Sequence, residues 1–276
     1  RNVALQLEYP AKHNTLIERF VKTYSSKMSS STYEPYVPEN GIRMIAEWER
    51  HDRVFMGWPT SAVTWLEDAN QGIYEDILQD VAEMANSIVE FEPVVMFADP
   101  GQIRSAEKML DPRITIIPME FDDLWARDML PVFVEKVDKD GNKTLAGIDF
   151  NFNGYGNKTE HDKSQFASAK LLEMFKIERI PAYITNNHSK EEIEEELRRV
   201  LGIRKFIWLE GVAGKDYTDG HVDCLFGDEE SDLEAVRVVS SAFPGRKVIS
   251  TGLSALACLG GGVHCFTKEQ PLYHRN

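Results

Sequence analysis

A chain of 276 residues, 42% of them hydrophobic, can bury a sizeable core as one large domain or two smaller ones. Its 31 Lys and Arg against 45 Asp and Glu leave a net charge of −14, which argues against a general nucleic-acid binder and suits a small cationic partner. Three cysteines without a CxxC pair argue against a disulfide framework and a structural zinc site, and point to a reducing compartment such as the cytoplasm; no apolar run reaches membrane-spanning length.

Residues 1–32 read as an N-terminal extension. They hold a short strand from Val3 to Leu7, a weak helical stripe at Leu16, Phe20 and Tyr24, and a flexible Ser-rich linker from Ser25 to Ser31. From residue 33 to residue 276 the texture is that of a single α/β domain. A proline-rich approach (Tyr33–Pro38) leads to Arg43–Glu49, and Val54–Pro59 reads as a buried strand closed by proline. Ile73, Ile77, Val81, Met84, Ala85 and Ile88 recur at helical spacing. A strand at Val94–Ala98, a helix at Gly101–Leu110 and a strand at Ile114–Met119 follow. Pro131–Val137 and Ala146–Phe152 flank Asp138–Asn142 as a β-hairpin. Next come a helix at Ser164–Phe175 and a strand at Ile180–Ile184. Ser189 caps a helix from Lys190 to Leu201, with Glu192 completing a capping box and Gly202 ending it. A strand at Phe206–Leu209, a helix at Asp232–Ala242 and a strand at Lys247–Thr251 complete the series. The rhythm fits repeated ββαβ units around an axis, or an open doubly wound sheet. No glycine-rich nucleotide motif is present.

Three stretches carry candidate chemistry. Asp122–Asp128 and Asp216–Asp223 each lie beyond the end of an expected strand, where α/β folds place ligands. Gly260-Gly261-Gly262-Val263-His264-Cys265 closes the chain. A cysteine on such a loop is either an exposed nucleophile or a small buried hydrophobe behind a turn. A thiol attacks as thiolate and needs a base nearby, for which His221 has the suitable pKa range. Asp128 and Asp223 are suited to clamp a planar guanidinium, whose five donors match carboxylates two at a time. Asp219, His221 and Asp223 would alternatively serve a metal, although no HExxH pair supports one. A papain-like thiol hydrolase leaves Trp125-Ala126-Arg127-Asp128 unexplained. In an extended segment His264 points away from Cys265, which assigns it a structural role.

These blocks resemble the agmatine deiminase family, part of the bacterial-type peptidyl-arginine deiminase group. Arg43–Glu49 with Gly57-Trp58-Pro59, Trp125–Asp128 with Pro131 and Val134, Thr218–Asp223, and Gly260–Cys265 with Thr267, Gln270 and Pro271 carry the likeness. Phe150–Asn153 with Gly154, Gly156 and Lys158 adds to it. The resemblance implies a five-fold pseudo-symmetric α/β propeller with its site on the axis, and neither metal nor organic cofactor. It implies Cys265 as nucleophile, His221 as general acid/base, Asp128 and Asp223 as guanidinium-binding carboxylates, and Trp125 as a wall of the site. The implied reaction hydrolyses a C–N bond of agmatine to N-carbamoylputrescine and ammonia, a step toward putrescine. Deimination of free or peptidyl arginine is the alternative, and a non-catalytic binding protein on the same scaffold a third reading. A homo-oligomer is compatible with all three.

The chain departs from the family pattern at two junctions. Ile184-Thr185 runs straight into Asn186-Asn187-His188 where members carry a Glu-Gly-Gly segment, and Asp223 is followed at once by Cys224. Either the gene product is defective or, as expected here, interior segments are absent from this sequence.

Overall fold

The computed structural model describes residues 2–3, 41–60, 71–184, 188–203, 205–206, 208, 236–237, 239–241, 247–249, 251–253, 255–256 and 259–273. In chain order its elements begin with β1 (Asn2–Val3), β2 (Ile42–Met44), β3 (His51–Gly57), α1 (Gln71–Ile88), β4 (Val94–Ala98), α2 (Ile103–Met109) and β5 (Thr115–Pro118). Then come α3 (Ala126–Met129), β6 (Val132–Val137), β7 (Lys143–Asp149), α4 (Gly154–Asn157), α5 (Ala167–Met174), β8 (Glu178–Pro181) and α6 (Lys190–Leu201). The last elements are β9 (Thr251–Gly252), α7 (Val263–Phe266) and β10 (Lys268–Pro271).

Two four-stranded sheets form the frame, in the orders β10-β3-β4-β5 and β2-β6-β7-β8, with β1 and β9 paired separately. In the first sheet β10 runs antiparallel to β3, while β3, β4 and β5 are parallel. In the second, β2, β6 and β7 alternate in direction and β8 joins β7 in parallel. This is an α/β fold. Among the described residues the sheets stay open, so the five-fold closure expected from the resemblance is not seen here.

The first sheet is buried on both faces, which explains the continuous apolar runs of β3 and β4. Val54, Met56, Val94, Met96 and Ala98 face α1 through Ile77, Val81, Met84 and Ala85. The alternate residues Phe55, Val95 and Phe97 face Met129, Phe133, Leu171 and Leu172 of the second unit. Phe55 stacks on Phe97 at 5.6 Å and meets Phe175 edge-on at 5.1 Å. The second sheet closes its own small core, with Val134, Ala146 and Ile148 against Val200 and Leu201 of α6.

Most expected elements occur, with shifted limits. The hairpin is present, but β7 begins at Lys143 rather than Ala146. The expected helix at Ser164–Phe175 splits into a 3-10 turn, Ser164–Phe166, and α5. The strand expected at Ile180–Ile184 lies at Glu178–Pro181, because its register against β7 pairs Glu178 with Ala146 and Pro181 with Asp149. Ion pairs Lys136–Glu178 (2.6 Å) and Arg179–Asp149 (2.8 Å) hold its polar start. The capping box of α6 is formed as expected, and Gly202 ends the helix at φ 69°. Of the strand expected at Lys247–Thr251, only Thr251 is in a strand among the described residues. The helical stripe and linker of the N-terminal extension, the proline-rich approach and most of the expected elements at 206–209 and 232–242 fall outside the described residues.

Candidate active site

The end of the chain reaches the site because β10 adds to the edge of β3, with Lys268 opposite Phe55. Before it, Asp80 of α1 accepts the backbone N–H groups of Ala255 (2.8 Å) and Leu256 (3.1 Å), which anchors the approach to the glycines. Cys265 then sits in the single helical turn α7, 4% exposed, as a thiol. This corrects the loop expected there: the segment is neither open nor extended. Thr267 holds the turn shut, its Oγ1 donating to the Val263 carbonyl at 3.0 Å.

The Trp-Ala-Arg-Asp block lies against this turn. The loop before it is pinned by Ser164, whose Oγ accepts from the backbone N–H of Asp122 (2.7 Å) and Asp123 (3.1 Å). Asp123 Oδ1 accepts from the N–H of Leu124 (2.7 Å) and Trp125 (3.4 Å). Trp125 is buried, and its ring meets Phe266 edge-on with centroids 4.8 Å apart. The same ring occupies the space a side chain at Gly261 would need: a Cβ there would fall 1.8 Å from the indole. The glycine run and the tryptophan are thus two halves of one contact.

Arg127 clamps the two turns together. Its Nε donates to the His264 carbonyl (3.0 Å), Nη1 to Glu47 Oε1 (3.0 Å) and Nη2 to Glu269 Oε1 (2.9 Å). Glu47 also bonds His264 Nε2 at 3.1 Å. Burial alone would raise the Glu47 carboxyl. The hydrogen bond with His264 and the charge of Arg127 outweigh burial and hold it below the usual range. His264 is tied into this clamp, and the segment that carries it is helical rather than extended as expected.

Asp128 lies in α3, and its Oδ2 accepts from the Tyr155 hydroxyl at 3.3 Å. Tyr155 adopts φ 56° and ψ 44°, a left-handed conformation uncommon outside glycine, and packs edge-on against Phe152 at 5.2 Å. Its phenol is held protonated by burial first, then by the negative charge of Asp123 and Asp128, with Cys265 also contributing. Tyr155 thus marks the place where Asp123, Asp128 and Cys265 come together.

Lys268, 5% exposed, is pushed down to about 8, first by burial and then by Arg127, with Glu269, Asp128 and Glu47 acting in the other direction. The sign follows directly. Between that pKa and the unfolded value of about 10.4, the unfolded chain binds a proton that the folded one lacks, so stability rises with pH across this window. Lys268→Met should flatten that rise and stabilise the fold at neutral pH by about 3 kcal/mol. Urea denaturation of both proteins between pH 7 and 10 measures it.

Of the residues expected in the site, Cys265, Trp125 and Asp128 are brought together. His221, Asp223 and the alternative metal set with Asp219 lie outside the described residues, as do Cys224 and Cys258. Among the described residues no group of three or more His, Cys, Asp and Glu is placed to hold a metal ion. Tyr155, Lys268 and the clamp from Glu47 were not foreseen. An acidic stretch followed by a glycine-flanked tyrosine was the only local signal for the first, and the other two depend on tertiary contacts.

The Porphyromonas-type peptidyl-arginine deiminase family matches in three pieces, residues 43–187, 183–226 and 224–271, and the chain belongs to that family. The breaks between the pieces fall at the two junctions noted in the sequence. Agmatine deiminase of Medicago truncatula is 30% identical over 226 residues, 68% of this chain and 59% of its own length. Agmatine deiminase of Pseudomonas aeruginosa (strain LESB58) is 32% identical over 233 residues, 71% of this chain and 60% of its own. The chain spans about three fifths of the length of these curated relatives. Two solved structures share the fold. Agmatine deiminase of Enterococcus faecalis superposes with TM-score 0.71 at 17% identity, over 87% of this chain and 99% of that one. A cysteine-to-serine form of C. jejuni agmatine deiminase with substrate bound gives 0.74 at 18%, over 88% and 100%.

Proposed function

We propose that the chain carries the nucleophile and guanidinium pocket of an agmatine deiminase. The observation that carries this reading is the packing of Trp125 on Gly261, which locks the Asp128 turn to the Cys265 turn around Tyr155. The curated relatives named agmatine deiminase support the substrate. In this reading Asp128 and Asp223 hold the guanidinium. The Cys265 thiolate attacks its carbon, and ammonia leaves with a proton from His221. An amidino-thioether remains on the sulfur. Water then adds as His221 takes its proton, the C–S bond breaks, and the ureido product departs with the thiolate restored. For agmatine that product is N-carbamoylputrescine.

Agmatine is favoured over arginine because the curated relatives carry its name, and because Arg127, the cation of the Trp-Ala-Arg-Asp block, already donates to Glu47, Glu269 and the His264 carbonyl. Comparing ammonia release from agmatine, arginine and an arginine-containing peptide tests the reading. Agmatine should be turned over fastest, and faster turnover of either arginine substrate would reverse the assignment.

The same reading makes residues 33–276 one catalytic domain in which the two sheets are blades of a five-fold propeller, with interior segments missing at the two junctions. The three-piece family match supports this. An intact protein mass well above 31.4 kDa is the expected result.

A further inference from the structure

Asp123 was part of an acidic stretch without a role of its own, and the mechanism above does not use it. It is 1% exposed, and its two oxygens are treated differently. Oδ1 caps the turn by accepting from the N–H of Leu124 and Trp125. Oδ2 is buried with no hydrogen-bond partner. Native interiors seldom leave a carboxylate oxygen so, and the exceptions call for an explanation. A cap alone does not supply one, since an asparagine would accept the same two bonds without burying a charge.

The surroundings indicate what the oxygen is kept for. Among the charges that keep Tyr155 protonated, Asp123 acts most strongly, ahead of Asp128, to which the phenol is hydrogen-bonded. Asp123 is therefore near enough for its charge to act on the phenol that Asp128 accepts from. Burial lifts its own carboxyl to about 6, the two backbone N–H groups oppose the rise, and the charges of Asp128 and Asp122 add to it. Burial therefore opposes its charge more strongly than its two backbone hydrogen bonds support it. Asp122, by contrast, is spent on structure: its Oδ2 accepts from the backbone of Lys163 at 2.6 Å and Ser164 at 3.3 Å.

We propose that Asp123 is a positioning residue of the guanidinium site, a third carboxylate, five residues before Asp128 and with one buried oxygen left unpaired, whose charge draws the substrate's positive charge onto Asp128. The proposal rests on the deiminase reading and names a charge that reading does not include. A cation held at Asp128 would balance Asp123 as well. Binding of a cationic substrate would thus offset part of the cost of burying that carboxylate.

The test measures agmatine affinity by calorimetry in a Cys265→Ala background, where no turnover occurs, with and without Asp123→Asn. Asp123→Asn should weaken agmatine binding about tenfold or more, given the strength of a poorly screened charge at short range. It should do so without lowering the melting temperature. In the wild-type background KM should rise by a similar factor while kcat changes little. Asp140→Asn, on the exposed hairpin turn, controls for loss of one charge and should leave affinity unchanged. Equal affinity in the Asp123→Asn protein, or a loss matched by a fall in melting temperature, overturns the proposal. Should that variant not fold, Tyr155→Phe reads the same pocket: about tenfold weaker binding supports the proposal and unchanged binding overturns it. If the Cys265→Ala parent binds no agmatine at all, the deiminase reading itself fails, and this inference with it.

Discussion

Cys265→Ala should abolish ammonia release from agmatine, by at least about a thousandfold, because it removes the sulfur on which the proposed thioether intermediate forms. The fold should survive the change. Cys265 lies in a helical turn among Trp125, Phe266 and Leu256, so alanine suits its backbone and removes one buried atom. The loss of stability should be about 1 kcal/mol, the scale of a small cavity. Agmatine affinity should persist, since Asp128, Tyr155 and Trp125 do not depend on the sulfur. Steady-state ammonia assays, thermal melts and calorimetry on one preparation check the three parts.

Gly261→Ala should damage the site almost as severely, and by a different route. A methyl group there would lie 1.8 Å and 2.0 Å from two atoms of the Trp125 ring. Relief requires one partner to move, and both are held. Trp125 is fixed by Phe266 at its edge and by Asp123 at its backbone, and Gly261 by the turn that follows Leu256. The expected result is a destabilisation of about 3 kcal/mol, or a displaced indole with activity lost at smaller cost. The neighbours give the contrast. Gly260 has open space around it but φ +85°, so alanine there should cost about 1 kcal/mol. Gly262 has open space and an ordinary extended φ of −126°, so alanine should be tolerated. A melting series over the three positions should therefore rank 261 lowest, 260 next and 262 nearest wild type. Equal effects at all three would contradict the role assigned to the Trp125 contact.

The sequence carried the association between these blocks further than it carried their geometry. Trp125–Asp128 and Gly260–Cys265 were legible as partners because a thiol and a carboxylate answer the needs of one cationic substrate. The helical turn around Cys265 was hidden, since one turn is too short for any periodicity to show. Glu47 stood within the Arg43–Glu49 block of the resemblance, with no role of its own. Its importance comes from Arg127 and His264, which approach it only after β10 has paired with β3. Lys268 was overlooked because lysines are rarely buried, and its register opposite Phe55 is set by the same pairing. The α6 capping box, in contrast, was fully local and fully legible. The β8 strand was misplaced because Ile180–Ile184 looked apolar, whereas pairing with β7 and two ion pairs decided its limits.

The most direct test of Cys265 as the attacking atom is to quench the protein with acid during turnover of agmatine, digest it, and map any covalent adduct by mass spectrometry. An adduct of agmatine less ammonia on the peptide that carries Cys265 is the expected result. An adduct on any other residue, or steady ammonia release with Cys265 unmodified throughout, would contradict it.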